Sequence, residues 1–180
     1  MVATILEDPG TQLYAPLGVG HHADHLEVAI ATMVAADKHR AWRRVAFYED
    51  YYALSEGLRR RHPVTARRPW PVRQVPGWAA PPLGLALRAL SSVARGPSLG
   101  HYLPAVAAMR WRCTAEPVEG FEETKLAAIA EYRSQTGRLG GMLQLRAAFR
   151  RAHRIRGGEL VWRVEPDDPA GTGVPPVDGP

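Results

Sequence analysis

The chain has a single cysteine, Cys113, among its 180 residues. An internal disulfide needs two thiols, and a zinc site built from cysteines needs several, so both are excluded. Any metal bound by this chain would have to use histidine and carboxylate ligands. Cys113 lies in a predicted strand, "MRWRCTAE", where a lone cysteine is most often a buried free thiol, and we expect that of Cys113.

Lysine is also scarce. Lys38 and Lys125 are the two lysines, so the formal net charge of +5 is carried almost entirely by arginine. Arginine side chains suit phosphates and carboxylates. The chain is equally rich in Ala, Pro and Gly, which share GC-rich codons with arginine, so its composition does not require a polyanionic partner. We expect no nucleic-acid partner, because clustering of charge on one face is the informative signal.

Long apolar runs are missing. The most apolar stretch, "AAPPLGLALRALSSVA" at 79–94, is interrupted by Pro81, Pro82 and Arg88, and it falls short of the roughly 20 apolar residues that span a bilayer. The first ten residues, "MVATILEDPG", carry no basic region of the kind that opens a signal peptide. The sequence predicts a cytoplasmic protein without a membrane partner.

Hydrophobic periodicity predicts an α/β fold. "TQLYAP" at 11–16 is typical of a short strand, apolar residues recur at helical spacing from Asp24 to His39, and "RRVAFYED" at 43–50 indicates a second strand. A strand, helix and strand in this order favour a parallel βαβ unit. The two acidic residues that end the second strand, Glu49 and Asp50, are either pocket carboxylates or caps of the following turn.

The remaining chain divides into a long excursion and a second ordered part. Residues 54–100 are rich in Arg, Pro and Gly, with one helix expected at 83–94. A strand, two amphipathic helices and a closing strand follow: "AMRWRCTAEPV", "FEETKLAAIAEYRSQ", "GMLQLRAAFRRAHRI" and "ELVWRVE". We expect a single domain over residues 1–165 and a disordered tail over 166–180.

A polar cluster follows the first strand, where Gly20 precedes His21, His22, Ala23, Asp24 and His25. If the helix begins near Ala23, residues three and four apart bring the three imidazoles to one side of its first turn. Neutral imidazole is a common zinc ligand, and a neighbouring carboxylate often fixes its tautomer. The cluster predicts a metal site with an adjacent acid–base group, or else an exposed helix start that Asp24 caps.

Four segments of the sequence resemble one enzyme family. "PLGVGHHADHLEVAIA" is similar to the second signature of the PIG-L/LmbE-like deacetylases, a Gly-His-x-x-Asp-His type of segment that opens a helix after a strand. "VAFYEDYYAL", "ETKLAAIAEYRSQ" and "GELVWRV" resemble later segments of the same family. The four segments occur in the family's order across residues 12–164.

This resemblance implies a Rossmann-like three-layer α/β fold with a mainly parallel sheet. It also implies a zinc-dependent hydrolase that removes acetyl groups from N-acetylglucosamine-type amides. By matched position, His25 would be a zinc ligand, and His22 would stabilise the oxyanion and protonate the leaving amine. Asp24 would orient His22.

The family's first signature, Ala-His-Pro-Asp-Asp-Glu, is absent from this sequence. It supplies two zinc ligands and the general base, so the resemblance covers only the C-terminal part of such an enzyme. We therefore expect a truncated enzyme or half of a split one, which binds zinc only if the missing ligands are supplied. It would act on an N-acetyl sugar or related small molecule with an N-terminal partner chain or as a homodimer. Leu13, Val45 and Phe47 would then lie at an unpartnered sheet edge.

An alternative is a catalytically inactive binding domain. The arginine-rich loop at 59–73, which includes His62 and Trp70, could contact phosphate-bearing ligands and stack on a base or sugar. The same loop could instead be a solvated excursion near a pocket. The two alternatives differ in whether these arginines are free to meet a ligand.

Overall fold

The fold is built on a four-stranded mixed sheet. The computed structural model describes residues 6–78, 106 and 108–165, and within them the strand order is β1-β2-β4-β3. The four strands are β1 (Leu13–Pro16), β2 (Val45–Tyr48), β3 (Arg110–Glu116) and β4 (Glu159–Glu165). The α/β class expected from the sequence is confirmed at this level.

The expectation of a mainly parallel sheet is wrong. β1 and β2 are parallel, but β4 runs antiparallel to both β2 and β3. The reason is that the segment between β3 and β4 leaves the sheet and returns to it at the same end. Glu159 therefore begins β4 opposite Glu116, the last residue of β3. A chain that returns to the end it left can only pair antiparallel.

Five α-helices have both ends within the described residues: α1 (Ala23–Lys38), α2 (Glu56–Arg59), α3 (Glu122–Ala130), α4 (Arg133–Thr136) and α5 (Gly141–Arg156). The predicted helix after β1 is confirmed as α1, so the βαβ unit is present. The single helix expected over "FEETKLAAIAEYRSQ" is divided, because Tyr132 leaves the helical conformation between α3 and α4. α5 ends before Gly157, whose φ of +79° suits glycine at a helix C-terminus.

The main core lies between α1 and the sheet. Ala29 and Met33 of α1 pack in one cluster with Phe47 of β2 and Trp162 of β4. Val45 and Phe47 are buried, so the expectation that they lie at an unpartnered edge is wrong; β4 covers the side of β2 that faces away from β1. β1 is the outermost strand on its side among the described residues, and its Leu13 is half-buried.

Two expectations concern residues outside this description: the helix at 83–94 and the disordered tail at 166–180. Among the described helices, none combines the length and the apolar character that a membrane span requires.

Candidate functional site

The histidine cluster lies at one edge of the sheet, where β1 and β2 both end. Because the two strands are parallel, the loop after Pro16 and the residues after Tyr48 meet at the same edge. The loop turns back through a hydrogen bond from the His21 N–H to the Gly18 carbonyl before α1 begins. This places His25 beside Asp50 and His22 beside His25, at the edge where the sequence predicted the two histidines.

The central contact of the site joins two residues that are 25 positions apart. His25 Nδ1 lies 2.8 Å from Asp50 Oδ2, and the Asp50 side chain is 3% exposed while that of His25 is 35% exposed. Asp50 Oδ1 accepts a 3.0 Å hydrogen bond from the Tyr52 backbone N–H. Of the two roles left open for Asp50, the structure shows the cap of the turn Tyr51–Leu54, and the other carboxylate oxygen faces His25.

The contact between His25 and Asp50 changes the pKa of each group. The hydrogen bond to Asp50 raises the pKa of His25, although burial of the ring works against this. Burial raises the pKa of Asp50, and the hydrogen bond with His25 opposes that rise. Since Nδ1 is engaged with the carboxylate, Nε2 is the ring nitrogen that a substrate or metal would meet.

His22 lies next to this pair. Its ring centroid is 5.1 Å from that of His25 and 5.8 Å from that of Tyr52, on which it stacks. The predicted partner Asp24 has its Oδ2 3.9 Å from His22 Nδ1, which is beyond hydrogen-bond distance, and the Asp24 side chain is 80% exposed. The carboxylate that makes a hydrogen bond to an imidazole in this cluster is Asp50.

A second pair of imidazoles lies close by. The ring of His21, whose φ is +60°, is 6.3 Å from that of the buried His62. His62 Nδ1 accepts hydrogen bonds from the backbone N–H groups of Val64 and Thr65, so the neutral ring carries its proton on Nε2. Burial lowers the pKa of His62 to about 4. His62 is thus a neutral internal group.

The arginine-rich segment 59–73 is folded into the protein. Arg59 is fully buried and makes ion pairs of 2.8 Å with Glu49 and 2.9 Å with Glu56. Arg68 donates to the Cys113 carbonyl, and the guanidinium groups of Arg59 and Arg68 lie 5.4 and 5.3 Å from the Trp70 ring centre. The segment therefore offers fewer free arginines to a phosphate than its composition suggests.

A groove of about 370 Å³ opens on the sheet, and none of the described residues that line it is a histidine. Tyr48, two residues before Asp50, lines it together with Tyr14, Phe121 and Lys125. Burial raises the pKa of Tyr48, and the nearby charge of Asp50 adds to that rise. Aromatic walls with a few polar groups are typical of small-molecule sites. The volume of the groove is large enough to hold a sugar-sized molecule.

Zinc does not fit the described residues by themselves. His25 Nε2 offers one donor, and within residues 6–78, 106 and 108–165 no group of three or more His, Cys, Asp or Glu side chains is arranged to hold a metal ion. A catalytic zinc requires three protein ligands and an open position. Cys113, which is half-buried with its pKa raised by burial, adds no ligand to the cluster.

Sequence reasoning missed two members of this neighbourhood. Tyr52 contacts both His22 and His25, and His62 approaches His21. Tyr52 follows Asp50 by two residues, so the expectation that strand-end residues gather at one edge could have drawn attention to it. Nothing local marks His62, because its place depends on how segment 59–73 folds back.

No family model matches this chain, and neither a curated protein nor a solved structure matches it.

Proposed function

We propose that this chain supplies the histidine half of an amide hydrolase site, of the N-deacetylase type that its four segments resemble. One observation carries the proposal: the 2.8 Å contact between His25 Nδ1 and Asp50 Oδ2, at the edge where parallel β1 and β2 end. Carboxylate–imidazole pairs of this kind hold a histidine in one tautomer and orientation. Open α/β sheets bind their ligands at such edges.

The chemistry assigned to the pair of imidazoles is acid–base work on an amide. Water adds to the carbonyl carbon while one of its protons passes to a general base that the partner polypeptide would supply. The C–N bond breaks and the departing nitrogen takes a proton from His22, which gives acetic acid and a free amine, and the proton on the base returns to His22. His22, beside His25 at 5.1 Å, donates to the carbonyl oxygen as charge develops and then to the departing nitrogen. Asp50 holds His25 with Nε2 toward the reacting group.

The remaining groups of such a site would come from another polypeptide. β1 leads directly into the histidine loop and is the outermost described strand on its side, so the edge that pairs with no other described strand can accept a strand from an N-terminal partner chain or a second copy. The completed assembly would have the Rossmann-like three-layer arrangement and would bind zinc. The described residues alone do not form a zinc site.

The substrate of the completed site would be an N-acetyl sugar or a related small molecule. The resemblance supports this substrate class; the groove between Tyr14, Tyr48 and Phe121 does not, because none of the described residues that line it is a histidine. Lys125 Nζ and Glu159 Oε1 are 2.7 Å apart, so these two side chains present a fixed pair.

Two measurements on one set of proteins test the proposal. Zinc binding is measured by calorimetry and amine release by a fluorogenic amine reagent with N-acetylglucosamine derivatives, for the chain alone and after adding a polypeptide that carries the missing His-Pro-Asp-Asp signature. We expect weak or no zinc binding by the chain alone, and stoichiometric zinc with amine release in the mixture. His25→Asn should abolish both effects in the mixture, whereas His39→Asn, at the far end of α1, should not.

Tight zinc binding by the chain alone that disappears in His25→Asn would contradict the half-site interpretation, because it would mean that this chain completes a metal site. A mixture that forms a stable complex with zinc but releases no amine from any acetylated amino sugar would contradict the deacetylase assignment.

A further inference from the structure

We propose that Tyr52 is a positioning residue for both imidazoles, and that it acts on His22 through its ring and on His25 through its backbone amide. Tyr52 belongs to the turn Tyr51–Leu54 that follows β2, so its place is determined by the same strand that positions Asp50.

The ring of Tyr52 holds His22 by contact alone. The two rings stack with centroids 5.8 Å apart and planes 24° apart, while the edge contact between Tyr52 and His25 has a centroid distance of 6.2 Å. His22 Nδ1 is buried without a hydrogen-bond partner in the described part of the chain. Its orientation therefore depends on packing, and Tyr52 is the aromatic residue packed face to face against it.

The backbone of Tyr52 acts on His25 through a carboxylate. The Tyr52 N–H donates to Asp50 Oδ1 at 3.0 Å, while Asp50 Oδ2 meets His25 Nδ1 at 2.8 Å. One oxygen is thus fixed by the main chain, and this fixes the direction in which the other oxygen faces the imidazole. A carboxylate held in this way limits His25 to the tautomer with a proton on Nδ1 whenever the ring is neutral.

The histidine loop also packs directly on Tyr52. A Cβ added to Gly20 would lie 2.5 Å from the Tyr52 Cβ, and Gly20 has a φ of +83°. Only glycine allows the loop between β1 and α1 to approach this closely. Tyr52 therefore contacts the loop that carries the histidines as well as the histidines themselves.

The consequence for amide hydrolysis rests on the proposed function, but the positioning itself does not. It can be measured from the ring signals of the two histidines by NMR, without any substrate. If those signals respond as expected and no amine is ever released, the proposed function fails and the positioning stands.

The first experiment compares Tyr52→Phe with Tyr52→Leu in the full chain. Tyr52→Phe keeps the ring and should leave the ring protons of His22 and the nitrogen shifts of His25 unchanged. Tyr52→Leu should remove the part of the ring-current displacement of the His22 protons that comes from the tyrosine, and leave the part from His25. It should keep the Nδ1-protonated form of His25, because the backbone N–H remains. If His22 is unaffected in a folded Tyr52→Leu variant, the side-chain part of the proposal is wrong.

The backbone part is tested by hydrogen exchange at the Tyr52 amide. Loss of a hydrogen bond to a charged acceptor is worth about 1.5–3 kcal/mol, so exchange in Asp50→Ala should be at least about tenfold faster than in the wild type. An equal exchange rate in the two proteins would overturn this part.

A third comparison needs no change at Tyr52. Gly20→Ala should displace the His22 ring signals, because the new Cβ would collide with Tyr52. Gly120→Ala is the matched control, since Gly120 has a nearly equal φ of +84° and a Cβ there meets no atom within 4 Å. If the two alanine variants leave the His22 signals equally unchanged, Tyr52 does not link the loop to the histidines.

Discussion

Glu49 and Asp50 are adjacent in the sequence, yet they belong to two different kinds of cluster. Glu49 accepts hydrogen bonds from Arg59 and from the Trp162 indole at 3.0 Å, and all of these groups are buried. Asp50 contacts His25, whose side chain is about one third exposed. At the end of β2, Glu49 thus binds groups in the interior, and Asp50 binds a histidine that reaches the surface.

The difference lies in what remains available after the internal contacts are made. On the Glu49 side, Arg59 forms ion pairs with both Glu49 and Glu56, and Arg156 lies 3.5 Å from Glu49, so the charges satisfy one another. On the Asp50 side, the hydrogen bond leaves His25 Nε2 for an outside group. The Glu49 cluster is therefore expected to govern stability, and the Asp50 cluster is expected to govern chemistry.

The largest loss in the free energy of unfolding should come from breaking the Glu49 cluster. Arg59→Met removes the fully buried cation that Glu49 and Glu56 share, and leaves Arg156 near Glu49 and Arg60 near Glu56. Removal of one member of a buried ion pair costs about 3–5 kcal/mol. Arg60→Met is the matched control, because Arg60 also pairs with Glu56 but its side chain is 63% exposed. A surface pair of this kind contributes about 0–1 kcal/mol. Urea unfolding of both variants measures the two free energies, and equal losses would show that the Arg59 cluster is not structural.

The next effect concerns pH and the buried His62. Its pKa is lowered from 6.5 to about 4, so the fold holds the neutral ring. The free energy of unfolding therefore has its full value above about pH 6.5, where His62 is neutral in the unfolded chain as well. It decreases as the pH falls toward 4, because His62 takes up a proton more readily in the unfolded chain. At 1.36 kcal/mol per pKa unit, this amounts to about 3 kcal/mol.

Unfolding free energies measured between pH 7 and 4 test this expectation. His62→Asn has nothing to titrate and can still accept the Val64 and Thr65 amides through its side-chain oxygen. The decrease in the free energy of unfolding between pH 7 and 4 should therefore be smaller in His62→Asn than in the wild type. Identical pH profiles would assign this decrease to other groups.

A smaller effect separates the two aspartates near the histidines. Asp50→Ala removes a turn cap and a charged hydrogen bond, for an expected loss of about 2 kcal/mol. Asp24→Ala removes an exposed carboxylate in the first turn of α1 and should cost about 0.5 kcal/mol. Thermal unfolding ranks the two variants; a larger loss in Asp24→Ala would restore Asp24 as the main carboxylate of the cluster.

Local patterns in the sequence predicted the first half of the fold and the place of the histidine cluster. The apolar stretch of β1, the β-branched and aromatic content of β2 and the periodicity of α1 predict the βαβ unit. The meeting of parallel strand ends brings Asp50 to His25. The antiparallel placement of β4 carries no local signal, because it depends on where α5 returns the chain. The burial of Arg59 was also missed, since arginine usually lies in solvent unless it is paired, and its partners Glu49 and Glu56 come together only in the folded chain.

NMR titration of His25 in the wild type and in Asp50→Asn tests the central claim most directly. The claim predicts that Asp50 raises the pKa of His25 above its ordinary value of 6.5 and keeps the proton of the neutral ring on Nδ1. The stabilising contribution of this pair is then complete below about pH 6.5 and is lost as the pH rises through the raised pKa. In Asp50→Asn the pKa of His25 should fall. A His25 that titrates identically in both proteins, with its neutral proton on Nε2, would contradict the account.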